Sequence, residues 1–339
     1  MITIFSRPLS ALATITGVTA LAGTSGCLPL PASVGAPTEI WAVWSSPADT
    51  PANARATAAS QPELAAAGIS SAVDAWIALD TTSFRPTILS SAAPSSAHRH
   101  LGVVTSFQGT RYHADVVRGM AESRDAVSAT AGSIASLLAS LGAKGLLLDF
   151  QEMTSEDLPT LVEVSRAIAD SARAHSSSQV GIIVPATDSA GYPGRILTRV
   201  ADVLVVRLFP EHGVGTPPGP IVSPQWFARG LGLRAGEAGV NKIVAGIPAD
   251  GVLWDSRRGG RRVSYAESLR LAQEAGTVVA RDPASGNLHA SSARDGWELW
   301  VVDHELIKRL IADARRIGVT RFALFGLEGA DPALWQSLP

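Results

Sequence analysis

The run Lys144-Gly145-Leu146-Leu147-Leu148-Asp149-Phe150-Gln151-Glu152 takes an apolar stretch to an end in polar groups. A carboxylate at the end of a dry segment can orient a bound molecule or exchange a proton with it, and general acid–base catalysis needs such a group. Asp149 and Glu152 qualify. Gln151 does not, because its amide donates hydrogen bonds but no proton near neutral pH. A second polar set closes another apolar run at Arg207, Phe209 and Glu211, and a third, Asp250 and Trp254, follows Pro248. A guanidinium in such a place is costly unless it is paired. Arg207 is therefore expected to reach Asp149 and form an ion pair.

These residues need elements to place them. Period-two alternation puts Leu147, Asp149 and Gln151 on one face of a strand and Leu148, Phe150 and Glu152 on the other. A helix start follows, where Thr154 and Asp157 have capping-box spacing. Strand then helix is one βα unit of a parallel α/β fold. Further strands are expected at Glu39–Trp44, Ala75–Asp80, Leu101–Phe107 (followed by Gln108), Val180–Pro185, Asp202–Leu208, Lys242–Pro248 and Arg321–Phe325. Helical stripes run through Val127, Ile134, Leu137, Leu138 and Leu141, through Leu158, Leu161, Ser165, Ile168 and Ala172, and through Leu306, Ile307, Leu310, Ala314 and Ile317. Gly142 and Gly318 are placed to cap the first and last of them.

Eight strands with intervening helices over about 300 residues predict a (β/α)8 TIM barrel. A doubly wound sheet is the alternative, but no glycine-rich phosphate turn follows the first strand. Thr277–Val302, with turns at Ser285-Gly286-Asn287 and Asp295-Gly296, predicts a small β insertion between strands seven and eight. The polar strand ends of a barrel meet at its C-terminal mouth. Asp149 and Gln151 are thus expected on the floor, with Glu152 turned away.

The chain has 339 residues, 46% hydrophobic and 17% charged, with net charge −2. That supplies a large core and argues against disorder. It gives no electrostatic case for nucleic acid or an anionic membrane. No metal motif or nucleophile elbow occurs, so no metal or cofactor is expected, and Tyr112-His113-Ala114-Asp115 has no triad spacing. Arg7 is the only charge before an apolar run from Leu9 to Gly23, the layout of a secretory signal. Cleavage after Ala22 competes with a lipoprotein-type site at Thr24-Ser25-Gly26-Cys27, whose cysteine is the only one in the chain. Residues 1–27 are read as a signal, 28–38 as a tether and 39–339 as the barrel of an exported monomer, lipid-anchored to the cell envelope or released as a secreted or periplasmic protein. Its contact with a membrane is expected only through that anchor.

The 144–151 run resembles the fourth-strand motif Asp-Gly-x-Asp-x-Asp-x-Glu of glycoside hydrolase family 18, the chitinase-like barrels. Gly145 and Asp149 match, Lys144 and Leu147 replace two aspartates, and Gln151 falls where the proton-donating glutamate belongs. The segment from Asp202 through Arg207, Phe209, Pro210, Glu211 and His212 to Pro218-Gly219-Pro220 and Trp226 resembles the family's sixth-strand region. Arg207 replaces a methionine there, Phe209 the tyrosine that contacts the acetamide, and Pro210 an aspartate. Phe325 takes the place of the tryptophan beneath the reacting sugar, and Glu328 to Trp335 resembles the family's closing turn.

The resemblance implies substrate-assisted chemistry, in which the sugar's acetamide attacks its own anomeric carbon, a glutamate protonates the leaving oxygen and an aspartate orients the acetamide. It further implies an exported barrel that binds or handles an N-acetylhexosamine-type polysaccharide or oligosaccharide, catalytically impaired at Gln151. One alternative is an active glycosidase using Glu152, which would need a bulge, or Asp80, Asp250 or Glu211. Another is a scaffold for protein partners. Trp41, Trp44, Trp226, Trp254 and Trp300 are candidates to stack on sugar rings, Trp44 and Trp254 foremost, with Gln108, Arg207, Phe209 and Phe325 lining the mouth. The basic run Ser256–Arg262 reads as a solvated loop that could meet an anionic polysaccharide.

Overall fold

A computed structural model describes residues 37–44, 67–91, 98–109, 111–175, 177 and 179–338. The expected signal, Cys27 and the tether up to residue 36 lie outside them. The chain begins with β1 (Glu39–Val43), β2 (Ser71–Leu79), β3 (Pro86–Ser91), β4 (Arg99–Thr105), β5 (Phe107–Gln108) and β6 (Arg111–Tyr112). Then come α1 (Ala114–Ala121), α2 (Arg124–Ser140), β7 (Gly145–Asp149), α3 (Leu158–His175), β8 (Gln179–Pro185), α4 (Gly194–Leu197), β9 (Val203–Arg207), α5 (Pro224–Ala238) and β10 (Ile243–Pro248). An insertion carries β11 (Gly251–Asp255), β12 (Gly259–Val263), α6 (Tyr265–Ala275), β13 (Ala280–Arg281), β14 (Leu288–Ser292) and β15 (Trp297–Val301). The last elements are α7 (His304–Arg316), β16 (Arg321–Phe325) and α8 (Leu334–Ser337).

Eight strands form a closed parallel barrel in the order β1, β2, β4, β7, β8, β9, β10, β16, with β16 pairing back onto β1 from Glu39↔Arg321 to Val43↔Phe325. This is the (β/α)8 architecture expected from the strand count. Alternation divides the core in two. Trp41, Val43, Val73, Trp76, Leu101, Val103, Leu147, Ile183, Val203, Val205, Val244 and Ala323 fill the barrel. Ile40, Ala42, Leu146, Leu148, Phe150, Ile182, Val206 and Leu324 point outward and pack with helix residues such as Ile134, Leu138, Leu161, Ile168, Phe227 and Leu310. A register shift in β2 between Val73 and Ala75 lets both Val73 and Trp76 face inward.

Helix ends follow local chemistry. Ser123, Ser223 and Asp303 accept the N–H groups of Ala126, Trp226 and Leu306 at the starts of α2, α5 and α7. After α2, Gly142 takes a φ of +71°, where a side chain would be strained.

Four features differ from expectation. The helix after β7 starts at Leu158 rather than Thr154, because Asp157 accepts Thr154 N–H and Oγ1 at 2.8 and 2.9 Å and closes a turn ahead of it. Strand β2 begins at Ser71 and pairs with β1 only along Ser71–Val73, while its upper half pairs with the antiparallel β3. The β5–β6 hairpin stands after the third barrel strand. The insertion begins at Gly251 instead of Thr277 and forms an antiparallel sheet, β12-β11-β15-β14-β13, with α6 packed against Leu253, Leu299 and Val301. The supposed basic loop is therefore largely a hairpin, in which Arg261 pairs with Glu267 and Arg262 with Asp250.

Candidate functional site

Strand β7 delivers Asp149 to the mouth of the barrel, in register with Thr105 of β4. Asp149 is 3% exposed and Gln151 7%. Gln151 Nε2 donates to Asp149 Oδ1 at 2.8 Å and to the Ile183 carbonyl at 2.9 Å, so both amide hydrogens are committed within the floor. The other Asp149 oxygen accepts the Tyr112 hydroxyl at 2.8 Å. Burial pushes the Asp149 carboxyl above the usual carboxylate range, against the pull of Arg207, Tyr112, Gln151 and Thr105.

Arg207, at the end of β9, does not pair directly with Asp149. Its Nη1 donates to the Tyr112 hydroxyl at 3.1 Å, and that hydroxyl donates onward to the carboxylate. The expected ion pair is thus replaced by a bridge, because the β5–β6 hairpin brings a phenol between the two charges. Burial works against the guanidinium charge, but Tyr112 and Asp149 outweigh it and leave Arg207 more firmly protonated than usual. Burial and the Asp149 charge push the Tyr112 phenol up. The guanidinium lies 5.6 Å over the Phe209 ring, which packs against Phe325 at 5.2 Å.

Glu152 is exposed, on the far side of the strand end, with a φ of +62°. No bulge returns it to the mouth. Tyr192 holds the turn instead, donating to the Phe150 carbonyl at 2.8 Å and accepting Met153 N–H at 3.0 Å. A Cβ on neighbouring Gly191 would come within 2.5 Å of the Met153 carbonyl oxygen. Behind this loop lies Arg234 of α5, 0% exposed, donating to the carbonyls of Pro185, Ala186, Asp188 and Tyr192 and to Glu237.

The remaining expected site residues are distributed around the rim. Asp80, Gln108, Thr87, Leu89 and Phe107 line a cavity of about 310 Å³ beside the floor, where Phe107 meets Tyr112 edge-on at 5.0 Å. Asp80 also organises a turn, accepting from Thr82 and Ser83, and its hydrogen bond from the Ser83 backbone holds it below the usual range. Gln108 donates to the Leu79 carbonyl. Glu211 accepts Ser223 N–H at 2.7 Å and braces the start of α5. Asp250 pairs with Arg262 at 2.5 Å, and burial raises its carboxyl to about 6. Trp44 is a correction: at 2% exposure it packs in the outer layer and offers no face to a ligand. Trp254 is mostly buried, with Nε1 donating to Thr216 O, and its edge reaches a groove shared with Trp297 on the insertion. Sequence reasoning missed Tyr112 and Tyr192, which lie in a two-residue strand and a loop, where no periodicity marks a functional side chain.

No protein-family model matches the chain. An "Uncharacterized glycosylase YvbX" of Bacillus subtilis (strain 168) is 19% identical over 206 residues, 57% of this chain and 60% of its own length, so the match spans less than two thirds of that relative. A chitinase from Chromobacterium violaceum ATCC 12472 superimposes with a TM-score of 0.74 at 18% identity, over 89% of this chain and 98% of its own. The fold is that of the chitinase barrels. A family 18 chitinase from Cycas revoluta, solved with (GlcNAc)4 as a double mutant in which one change replaces glutamate by glutamine, superimposes with a TM-score of 0.71 at 13% identity, over 88% of this chain and 98% of its own.

Proposed function

We propose that this chain is a divergent family 18 barrel that binds an N-acetylhexosamine-type polysaccharide and lacks the proton donor for cleaving it. The observation that carries the reading is the state of Gln151. It sits on the mouth floor beside Asp149, both its amide hydrogens are spent, and the next carboxylate, Glu152, faces solvent. General-acid assistance is typically worth about 10²–10⁴-fold in rate, so its loss leaves binding ahead of turnover. The floor keeps an aspartate suited to orient an acetamide, and Phe209 and Phe325 supply apolar ring faces. The Cycas chitinase carries a glutamate-to-glutamine change and was solved with its tetrasaccharide, which supports ligand capture by a barrel of this fold.

One observation favours a second reading. Asp250, at the end of the seventh barrel strand, is a mouth carboxyl raised to about 6, in the range of a general acid. Calorimetric titration of the full-length protein with (GlcNAc)4, with products followed by chromatography, separates the two. Binding without cleavage is the expected result. Cleavage abolished by Asp250→Asn would move the assignment to a working hydrolase, and absence of binding would contradict both. The reading includes export, either lipid-anchored at Cys27 or released after cleavage, and incorporation of labelled palmitate into wild type but not Cys27→Ser would separate the two.

A further inference from the structure

Arg207 stands where the family pattern has a methionine, and most of its hydrogen-bonding capacity is unspent. A guanidinium carries five N–H donors in a planar fork. Among the described residues, Arg207 uses one, from Nη1 to the Tyr112 hydroxyl. Its side chain is half-buried at the barrel mouth, and none of its nitrogens is sealed from solvent without a partner. The unspent Nε and Nη2 donors therefore keep contact with solvent at the end of β9. Nearby acids do not take them. Asp149 is engaged by Tyr112 and Gln151, and Asp250 by Arg262. The Phe209 ring under the guanidinium, backed by Phe325, gives this cation an apolar wall on one side.

A half-buried cation with open in-plane donors and an aromatic wall is a receptor for a planar anion, since the guanidinium fork meets two carboxylate oxygens at once. We propose that Arg207 makes this mouth selective for a sugar that bears a carboxylate. A uronate and the lactyl ether of a muramic-type N-acetylhexosamine share that chemistry. In either case Nε and Nη2 hold the carboxylate while the ring face of Phe209 borders the sugar. The inference rests on the carbohydrate reading above and names the class of sugar within it.

The test is calorimetric titration of the full-length protein with three tetrasaccharides: neutral (GlcNAc)4, an alternating GlcNAc–MurNAc oligomer and an alternating GlcNAc–glucuronate oligomer. At least one acidic oligomer is expected to bind about 10- to 100-fold more tightly than (GlcNAc)4, the size of a charge-assisted hydrogen bond. Which one does so identifies the source of the carboxylate. The acidic-to-neutral affinity ratio should fall close to one in Arg207→Met and partway in Arg207→Lys, which keeps the charge without the fork. Neutral sugar bound as tightly as both acidic ones, or a ratio unchanged in the variants, would overturn the assignment and leave the carbohydrate reading intact. No binding of any of the three would overturn both. Should Arg207→Met not fold, the lysine variant decides.

Discussion

Tyr112 holds the two charges of the mouth in a fixed relation, since its hydroxyl accepts from Arg207 and donates to Asp149. Tyr112→Phe removes both bonds without changing the ring that meets Phe107. It should cost about 1–3 kcal/mol, the penalty for a buried polar group left short of a partner, and raise the Asp149 carboxyl further. Chemical denaturation and carboxyl titration by NMR check the two effects, and a fully neutral substitution would mean that water replaces the phenol at no cost. At this scale the sequence was partly legible. Alternation along β7 placed Leu147, Asp149 and Gln151 inward and turned Glu152 outward, as found. It could not show that the partner of Arg207 is a phenol from another element, because the β5–β6 hairpin owes its place to tertiary packing rather than to a pattern. Trp44 misled for a related reason. One residue of phase at the end of β1 decides between mouth and outer layer.

Elements behind the strands fix the floor from outside. Arg234 of α5 ties down the loop that carries Tyr192, and Tyr192 in turn clamps the backbone on both sides of Gln151 and Glu152. Arg234→Met leaves buried carbonyls without their donor and Glu237 without its cation. A loss of about 3–5 kcal/mol is expected, as for removing one partner of a buried ionic network. Tyr192→Phe should cost about 1–2 kcal/mol and weaken oligosaccharide binding with it. Unchanged melting of both variants would show that this loop is held by other means. A second brace joins Arg118 of α1 to Asp157 ahead of α3, both bonds at 2.6 Å. Helix faces were readable from their apolar stripes, but these braces were not, because arginine in a helix ordinarily reads as solvated surface. The insertion was only half visible. Its Ser285–Asn287 and Asp295-Gly296 turns carry hairpin signals, whereas the arginines of β12 hid a strand whose charges are paired.

Over the whole molecule, eight apolar strands with helical stripes between several of them sufficed to predict a closed barrel. The charge economy of the mouth was not predictable and has a pH signature. The Asp250 carboxyl is raised from 3.8 to about 6 in the folded protein. Between those values the native state holds a proton that the unfolded chain has released, so stability falls as pH rises through that window. Asp250→Asn removes this dependence. Relative to the variant, wild type should lose up to about 3 kcal/mol between pH 4 and pH 6.5, read from urea midpoints. Parallel profiles would place Asp250 as an ordinary ionised partner of Arg262. Asp157 acts with the opposite sign. Its pairing with Arg118 holds its carboxyl down, so its contribution is present above pH 4 and disappears as the solution becomes strongly acidic.

The central claim is that this mouth binds its sugar but lacks the acid that cleavage requires. The most direct measurement compares wild type with Gln151→Glu on a fluorogenic N-acetylglucosamine oligomer. A carboxyl in place of the amide would stand about 2.8 Å from Asp149 Oδ1 and 2.9 Å from the Ile183 carbonyl. Two acceptors at that range favour its protonated form, which is the state a general acid requires. The expected result is binding without measurable turnover by wild type and at least about 10²-fold more turnover by the variant. Turnover by wild type that Glu152→Gln or Asp250→Asn abolishes would contradict the account.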